Sequence, residues 1–299
     1  MASYPDMELL EAEMAKVAAQ VDAALEKVLP PVDGYEAQLL EAMRYATFAG
    51  GKRLRPFLVL ASGQLYALPI ETSTRIACAL ECVHTYSLVH DDLPCMDDDD
   101  LRRGKPTVHK TWDEATAVLA GDALLTLSFE ILSDPQTHRD SHIRIDLINA
   151  LAKAAGAHGM VGGQMIDLLS ETTKLDMGTV TRLQQMKTGA LIRFATESGA
   201  IAGGATQTER LALQAYAHDL GLAYQIVDDL LDIDGDAEEM GKATGKDGAK
   251  QTLVSLMGVE RARMQAEMLA EQAVAHLEPF SEQAELLRLL PEFVINRRS

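Results

Sequence analysis

Between residues 91 and 100 the chain reads "DDLPCMDDDD", six aspartates in ten positions, and Arg102 and Arg103 follow directly. Two like charges about 4 Å apart repel by roughly 4 kcal/mol at an effective dielectric near 20, so carboxylates this dense need cations or open water. A second acidic stretch, "YQIVDDLLDIDGD", begins at Tyr224. Its Asp228 and Asp232 stand at i and i+4, which puts both carboxylates on one helix face and turns Asp229 away. In the first stretch Asp91 and Asp98 are nearly eclipsed on an ideal helix, but Pro94 interrupts it, so a loop could equally return Asp97 to Asp91. Spacing alone leaves both arrangements open.

Carboxylate clusters without His or Cys suit hard cations, and Mg2+ in particular is held by one or two carboxylates together with waters and substrate phosphates. Each cluster taken alone also reads as a solvated acidic face or a helix cap. "DIDGDAEEM" does not fit a calcium loop, because Gly235 is fourth from Asp232 rather than sixth and Ala243 fills the twelfth place, where Glu is needed. Two acidic sites so far apart in the chain make sense together if they face one another across a cavity and share metal ions.

Basic residues recur beside glycines. "GGKRLRP" carries Lys52, Arg53 and Arg55, "DDLRRGKP" carries Arg102, Arg103 and Lys105, "MKTGAL" carries Lys187, and "MGKATGKDGAK" carries Lys242, Lys246 and Lys250. Singly these are ordinary solvated clusters. In a chain of formal net charge -18 their placement next to the acidic sites points to a bound polyanion such as diphosphate.

Helices must position these groups. Leu10, Met14, Val17, Val21, Leu25 and Val28 recur in steps that form one stripe, closed by Pro30 and Pro31. A second helix is predicted from about Glu36 to Phe48, a buried one in "FLVLASGQLYAL", and others near 73–92, 112–132, 142–170, 177–200, 207–233 and 257–276. The expectation is an all-α fold, a single multi-helix bundle around a deep central cavity, as one domain over residues 1–299. Aromatic content of 5% beside abundant Ala, Leu, Met, Glu and Gln agrees with it.

The acidic balance excludes nucleic acid or an anionic membrane as the main partner. Three cysteines without a C-x-x-C pair indicate a reducing compartment, and Cys78 and Cys82, one turn apart, read as small buried hydrophobes. The N-terminal stretch is acidic where a signal peptide is basic, and no uncharged apolar run approaches about 18 residues. A cytoplasmic protein without stable membrane insertion is expected.

"DDLPCMDDDDLRRG" and "QIVDDLLDIDGD", with "GGKRLRP", "HTYSLVHDD", "GGQMIDL" and "KTGAL" in the same order, resemble the motifs of short-chain trans-prenyl diphosphate synthases, over roughly residues 35–299. The likeness is closest to the bacterial farnesyl diphosphate synthase type. It implies a homodimer in which three Mg2+ ions hold an allylic diphosphate between the two motifs. Asp91, Asp92 and Asp97 would hold ions on one side, and Asp228, helped by Asp232, on the other. It also assigns Arg102, Lys187 and Lys242 to the allylic diphosphate, and Lys52, Arg55, His84 and Arg103 to isopentenyl diphosphate. Gln225 matches the residue that supports the metal-bound diphosphate, Thr188 the one near the developing cation. No protein nucleophile is needed, consistent with the absence of a Ser/His/Asp or Cys/His arrangement.

Tyr86 and Ser87 lie five and four residues before Asp91, roughly 7.5 and 6 Å down a helix. In the bacterial type, marked here by Pro94 and Cys95, an aromatic at the fifth position goes with a C15 product. The expectation is condensation of isopentenyl diphosphate with dimethylallyl and geranyl diphosphate to farnesyl diphosphate. A geranylgeranyl diphosphate synthase, a terpene cyclase and a non-catalytic partner subunit are the alternatives. The intact "GGKRLRP" argues against the cyclase, and two intact acidic motifs argue against the partner subunit. Gln164 and Asp167 fall near the cavity by resemblance without a catalytic assignment, and His90 reads as structural. The stretch "GKDGAKQTLVSLMG" departs from the family's "GKST-Y-P" and is about two residues shorter, which leaves Lys246 and Lys250 without an assigned role. A basic C-terminus, "INRRS", is expected to close over the site.

Overall fold

A computed structural model describes residues 4–234 and 251–297. Helix α1 (Tyr4–Val28) buries Leu10, Met14, Val17, Val21 and Leu25, the stripe set by its apolar spacing. α2 (Ala37–Thr47) and α3 (Leu54–Gln64) follow, separated by the glycines before Lys52. α4 (Ile70–Asp91) and α10 (Ala190–Ala202) are buried along nearly their whole length and form the centre of the bundle. α10 comes close to α3 because residue 199 is glycine: a Cβ there would lie 2.4 Å from the Ser62 carbonyl carbon.

α6 (Glu114–Ser133) packs against α4, its N-terminus capped by Asp113, which accepts the Thr116 N–H at 2.7 Å. By length and composition α6 is apolar enough to cross a membrane, yet half of its most apolar window is buried inside this bundle. Asp140 and Asp176 cap α7 (Ser141–Ala155) and α9 (Met177–Gln184) in the same way.

The helix expected over 142–170 is two, α7 and α8 (Met160–Ser170), because Gly156 ends the first and Gly159 precedes the second. The stretch expected as one helix over 177–200 contains a π-helical turn, Gln185–Gly189, between α9 and α10. α11 (Gln207–Asp234) carries the second acidic stretch, and α12 (Leu253–Met257), α13 (Val259–His276) and α14 (Glu285–Asn296) complete the fold. A four-residue helix, α5 (Val108–Thr111), was also not anticipated. Nor was α14, in which Pro291 sits inside the helix.

The one sheet among the described residues is a two-stranded hairpin, β1 (Leu101–Arg102) with β2 (Lys105–Pro106). Its antiparallel pairs are Leu101 with Pro106 and Arg102 with Lys105. Arg103 and Gly104 both turn with positive φ, 53° and 73°, the backbone a two-residue hairpin turn demands. One large core joins α1 to α7, α10 and α14, and a smaller one lies between α9, the C-terminal half of α11, α12 and α13.

Candidate active site

A cavity of ≈ 760 Å³ opens between these elements. Its lining includes Lys52, Arg55, His84, Arg102 and Arg103 together with Thr188, Gln225, Asp228, Asp229 and Asp232. Of the first acidic stretch Asp99 lines this cavity, with Arg102 and Arg103 after it, while Asp91, Asp92, Asp97 and Lys187 are not among its lining residues.

α4 ends at Asp91, and the following loop turns back so that the Asp97 N–H donates to the Asp91 carbonyl at 2.8 Å. The loop thus returns Asp97, while Asp98 sits in the left-handed region with φ 49°. Asp91 is largely enclosed, and burial pushes its carboxyl up to about 6, with Asp97 and Asp92 adding to the shift and Lys187 and Arg102 opposing it. Asp92 is buried and raised by burial, against the pull of Arg102, whose Nε donates to its Oδ1 at 2.9 Å. Asp92 and Arg102, which the resemblance assigns to metal and to diphosphate, are therefore partners of each other.

Beside the second acidic stretch Arg297, the last residue described, stacks 3.8 Å from the Tyr224 ring centroid. Its guanidinium donates to Asp228 at 2.5 Å and to the Tyr224 carbonyl at 3.0 Å. The side chain of Asp228 is 45% exposed against 6% for Arg297, so the arginine, rather than the aspartate, is the enclosed partner. Asp229 does not turn away as helical spacing implied. It is buried, lines the cavity and accepts from Gln225 Nε2 at 3.1 Å, while Thr188 Oγ1 donates to Gln225 Oε1 at 3.2 Å. The i,i+4 relation of Gln225 to Asp229 was the available signal.

Lys187 and Thr188 belong to the π turn, a local widening of the ladder that often marks functional sites. Close packing from α8 fixes the turn, since a Cβ on Gly163 would fall 2.3 Å from the Lys187 amide nitrogen. The Lys187 ammonium donates to Asp167 at 2.7 Å. Asp167 is therefore the residue that holds this cation, a role the sequence did not assign. Beside it in the helix, both side-chain amide atoms of Gln164 are buried without a hydrogen-bond partner.

Arg55 donates toward His84 Nε2 at 3.3 Å. Burial first, and then the nearby arginines, hold the His84 pKa well below its ordinary value, so the ring is neutral with Nε2 accepting and Nδ1–H left to donate. Burial, followed by Arg297, lowers the Lys52 ammonium, with Asp228 opposing. Arg103 donates to the Gly50 carbonyl. Arg53, from the same basic run, is a scaffold residue instead: it is buried, paired with Glu81 at 2.5 Å and with Asp22 at 2.7 Å.

Tyr86 and Ser87 are not among the residues lining the cavity. Tyr86 is buried in the core with its ring edge-on to His90, centroids 5.7 Å apart, and burial pushes its hydroxyl up to about 12. His90 lies 3.0 Å from the Val118 carbonyl of α6, consistent with a structural role. Cys78 and Cys82 are buried, and burial pushes both thiols up, Cys78 to about 12. Lys242, Lys246 and Lys250 lie outside the described residues.

The donor set fits Mg2+. Asp91 lies close enough to Asp97 and Asp92 for their charges to add to the burial that raises its carboxyl, a cost that a hard cation offsets.

A helical bundle with a cavity lined by Lys52, Arg55, Arg102 and Arg103 together with Asp228, Asp229 and Asp232 defines a protein suited to a polyanion and hard cations. Within that class the chain belongs to the polyprenyl synthetase family, whose model matches residues 36–290. It is 44% identical to the farnesyl diphosphate synthase of Escherichia coli over 285 residues, 93% of this chain and 95% of that protein. Among solved structures it is similar to an FPP/GFPP synthase from Zymomonas mobilis, with 50% identity, TM-score 0.88 and coverage of 96% and 98%. A geranyltransferase from Helicobacter pylori, solved with magnesium and isoprenyl diphosphate, has 36% identity, TM-score 0.83 and coverage of 99% and 98%.

Proposed function

We propose that the protein is a Mg2+-dependent farnesyl diphosphate synthase that condenses isopentenyl diphosphate with dimethylallyl and then geranyl diphosphate. The observation that carries this reading is one cavity lined both by cationic groups and by carboxylates. An enzyme that only ionised an allylic diphosphate would have no use for a second cationic cluster at Lys52, Arg55, His84 and Arg103.

Asp91, Asp92, Asp97, Asp228 and Asp232 would hold three Mg2+ ions, which draw charge from the departing diphosphate and so promote cleavage of the allylic C–O bond. Lys187, steadied by Asp167, places a fixed positive charge where the leaving group develops negative charge. Arg102 does the same once its hold on Asp92 is shared, and Lys242 is assigned with them. Arg55 and Arg103 bind the diphosphate of isopentenyl diphosphate, and neutral His84 adds an N–H donor without competing for a proton. The double bond of that substrate attacks the allylic carbon, and the released diphosphate takes the proton. Thr188 Oγ, oriented by Gln225, directs oxygen lone-pair density toward the cationic carbon. Arg297, stacked on Tyr224, helps to exclude water, which would otherwise quench the cation.

Chain length rests on Tyr86 and Ser87 as the floor of the growing chain. Tyr86 is buried in the core with its ring edge-on to His90, and the length of the product decides between this floor and the second reading, a geranylgeranyl diphosphate synthase. Exposed Val118 and Leu119 on α6 and Ile145 on α7 supply the apolar surface for the proposed homodimer, which sedimentation would show. A cytoplasmic setting suits three free cysteines.

The test is to supply isopentenyl and dimethylallyl diphosphates with Mg2+ and to resolve the dephosphorylated products by mass. A C15 alcohol lost on chelation supports the assignment, and C20 moves it to geranylgeranyl synthesis. No product in any metal would move it to a partner subunit.

A further inference from the structure

A second cavity, of ≈ 230 Å³, lies between the π turn, α10 and α11 and shares no lining residue with the central one. Thr188 lines the central cavity, whereas Gln185, Met186 and Gly189 line this one, so the turn contributes to both. No residue of this second lining has a role in the prenyl transfer described above. Gln185, Gly189 and Arg193 recur at intervals of four, as do His218 and Leu222 on α11, which sets the two rows along one groove between the helices. The backbones come close at its floor, where a Cβ on Gly221 would lie 3.4 Å from the Gly189 Cα. His158, from the loop before α8, completes the lining.

That lining holds an arginine and two histidines and no carboxylate. In a chain with 45 acidic against 27 basic side chains, such a lining selects negative charge. The exposed Arg193 guanidinium has no hydrogen bond or ion pair among the described residues. Its partner at helical spacing would be Glu197, but that carboxylate accepts from Arg210 at 3.0 Å and from Gln214 at 2.8 Å. The Gln185 amide nitrogen donates one hydrogen to His218 Nε2 at 2.9 Å and keeps its second for a ligand. Met186, Ala190 and Leu222 add an apolar side. The volume falls short of the roughly 300–1,000 Å³ of sites for drug-sized molecules, which limits the ligand to a small one.

We propose that this cavity binds a small oxyanion, a carboxylate or a phosphate monoester on a short apolar body, and that the bound anion holds the π turn in its widened form. Arg193 and Gln185 take the oxygens, and Met186 and Leu222 cover the body. Gln185 opens the turn and Arg193 lies four residues beyond its end, so a ligand held by both spans the widened stretch and favours it over a regular α-helical register. A regular register would rotate Lys187 away from Asp167 and Thr188 away from Gln225. The anion therefore acts on the central cavity from outside it. This coupling rests on the reading of prenyl transfer above, whereas the binding does not.

The full-length protein, with its methionine methyls labelled with carbon-13, is titrated with phenyl phosphate and separately with benzoate. A saturable ring-current shift of the Met186 methyl, assigned through Met186→Leu, is expected with a Kd below about 1 mM. The tighter probe tells a phosphate source from a carboxylate one, and uncharged benzyl alcohol leaves the resonance in place. Arg193→Gln, a surface substitution, weakens binding about 10- to 100-fold, as loss of a charged hydrogen bond does. Asp91→Asn combined with Asp228→Asn leaves it unchanged. Filling the central cavity with Mg2+ and inorganic diphosphate tightens the probe at least about fivefold. No Met186 shift, an equal shift with benzyl alcohol, or full affinity in Arg193→Gln would overturn the site. Diphosphate that binds without changing the affinity of the probe would overturn the coupling. Diphosphate that does not bind at all would overturn the reading of prenyl transfer, and the coupling with it, while the Met186 shift still decides the site.

Discussion

The two acidic regions hold their carboxylates by different physics. Around Asp91 the carboxylates are enclosed and constrained: Asp97 is folded back by the loop, Asp92 is clasped by Arg102, and Asp91 is pushed up to about 6. Around Asp228 the carboxylates stand on a regular helix, Asp228 itself is half exposed, and the clasping group is an arginine from the far end of the chain. In the first region burial, with a smaller contribution from neighbouring carboxylates, sets a cost on the Asp91 charge that a cation offsets. The second has little to relieve, because water and Arg297 already screen it.

The largest effect tests whether the regions act on one reaction. Asp91→Ala and Asp228→Ala should each lower turnover by about a hundredfold to a thousandfold in a product assay, the size expected when transition-state charge loses a stabilising group. Near-normal turnover in either would separate the two regions functionally.

Stability should part them next. The folded-state pKa of Asp91 is raised, so its protonation favours the native state at low pH, and this stabilisation is lost as pH rises through about 6. In metal-free buffer at pH 8, roughly two units above that pKa, Asp91→Asn should therefore melt a few degrees higher than the parent, and Mg2+ should reverse the order. Asp228→Asn should change stability by no more than about 1 kcal/mol, as partly exposed ion pairs do. Equal shifts in denaturant titrations would remove the distinction between buried and screened charge.

His84 gives the opposite sign. Its folded pKa is depressed, so its contribution is present above the unfolded value of about 6.5 and is lost on acidification, as the unfolded chain takes up a proton that the native ring refuses. His84→Gln should flatten the fall of unfolding free energy between about pH 6.5 and 5. The smallest effect belongs to Arg297→Ala: removal of a nearby cation should raise the Lys52 pKa, visible by NMR of the amine, with stability altered by about 1 kcal/mol or less.

Glycines explain much of what pattern reading missed. Gly156 and Gly159 split a run whose apolar periodicity continues across them, and Arg103–Gly104 makes a hairpin turn in a stretch too short to show strand alternation. Asp167 was legible only as a polar residue near a cavity, because its partner Lys187 is twenty residues away on a turn whose ladder widens locally. Tyr86 had a role by spacing from Asp91, but helical spacing gives depth along an axis and not which neighbours cover a ring.

The sequence by itself determined the helices, the pairing of two carboxylate sites with cationic clusters, and hence a polyanion and a hard cation as ligands, because residue type and periodicity are local properties of the chain. Only the tertiary structure decided that Asp97 and not Asp98 returns to Asp91, that Asp92 belongs to Arg102, that Asp229 faces the cavity and that Arg297 reaches Asp228. These depend on burial and on contacts between distant segments, where loss of solvent makes a few ångströms decide the charge state of a group.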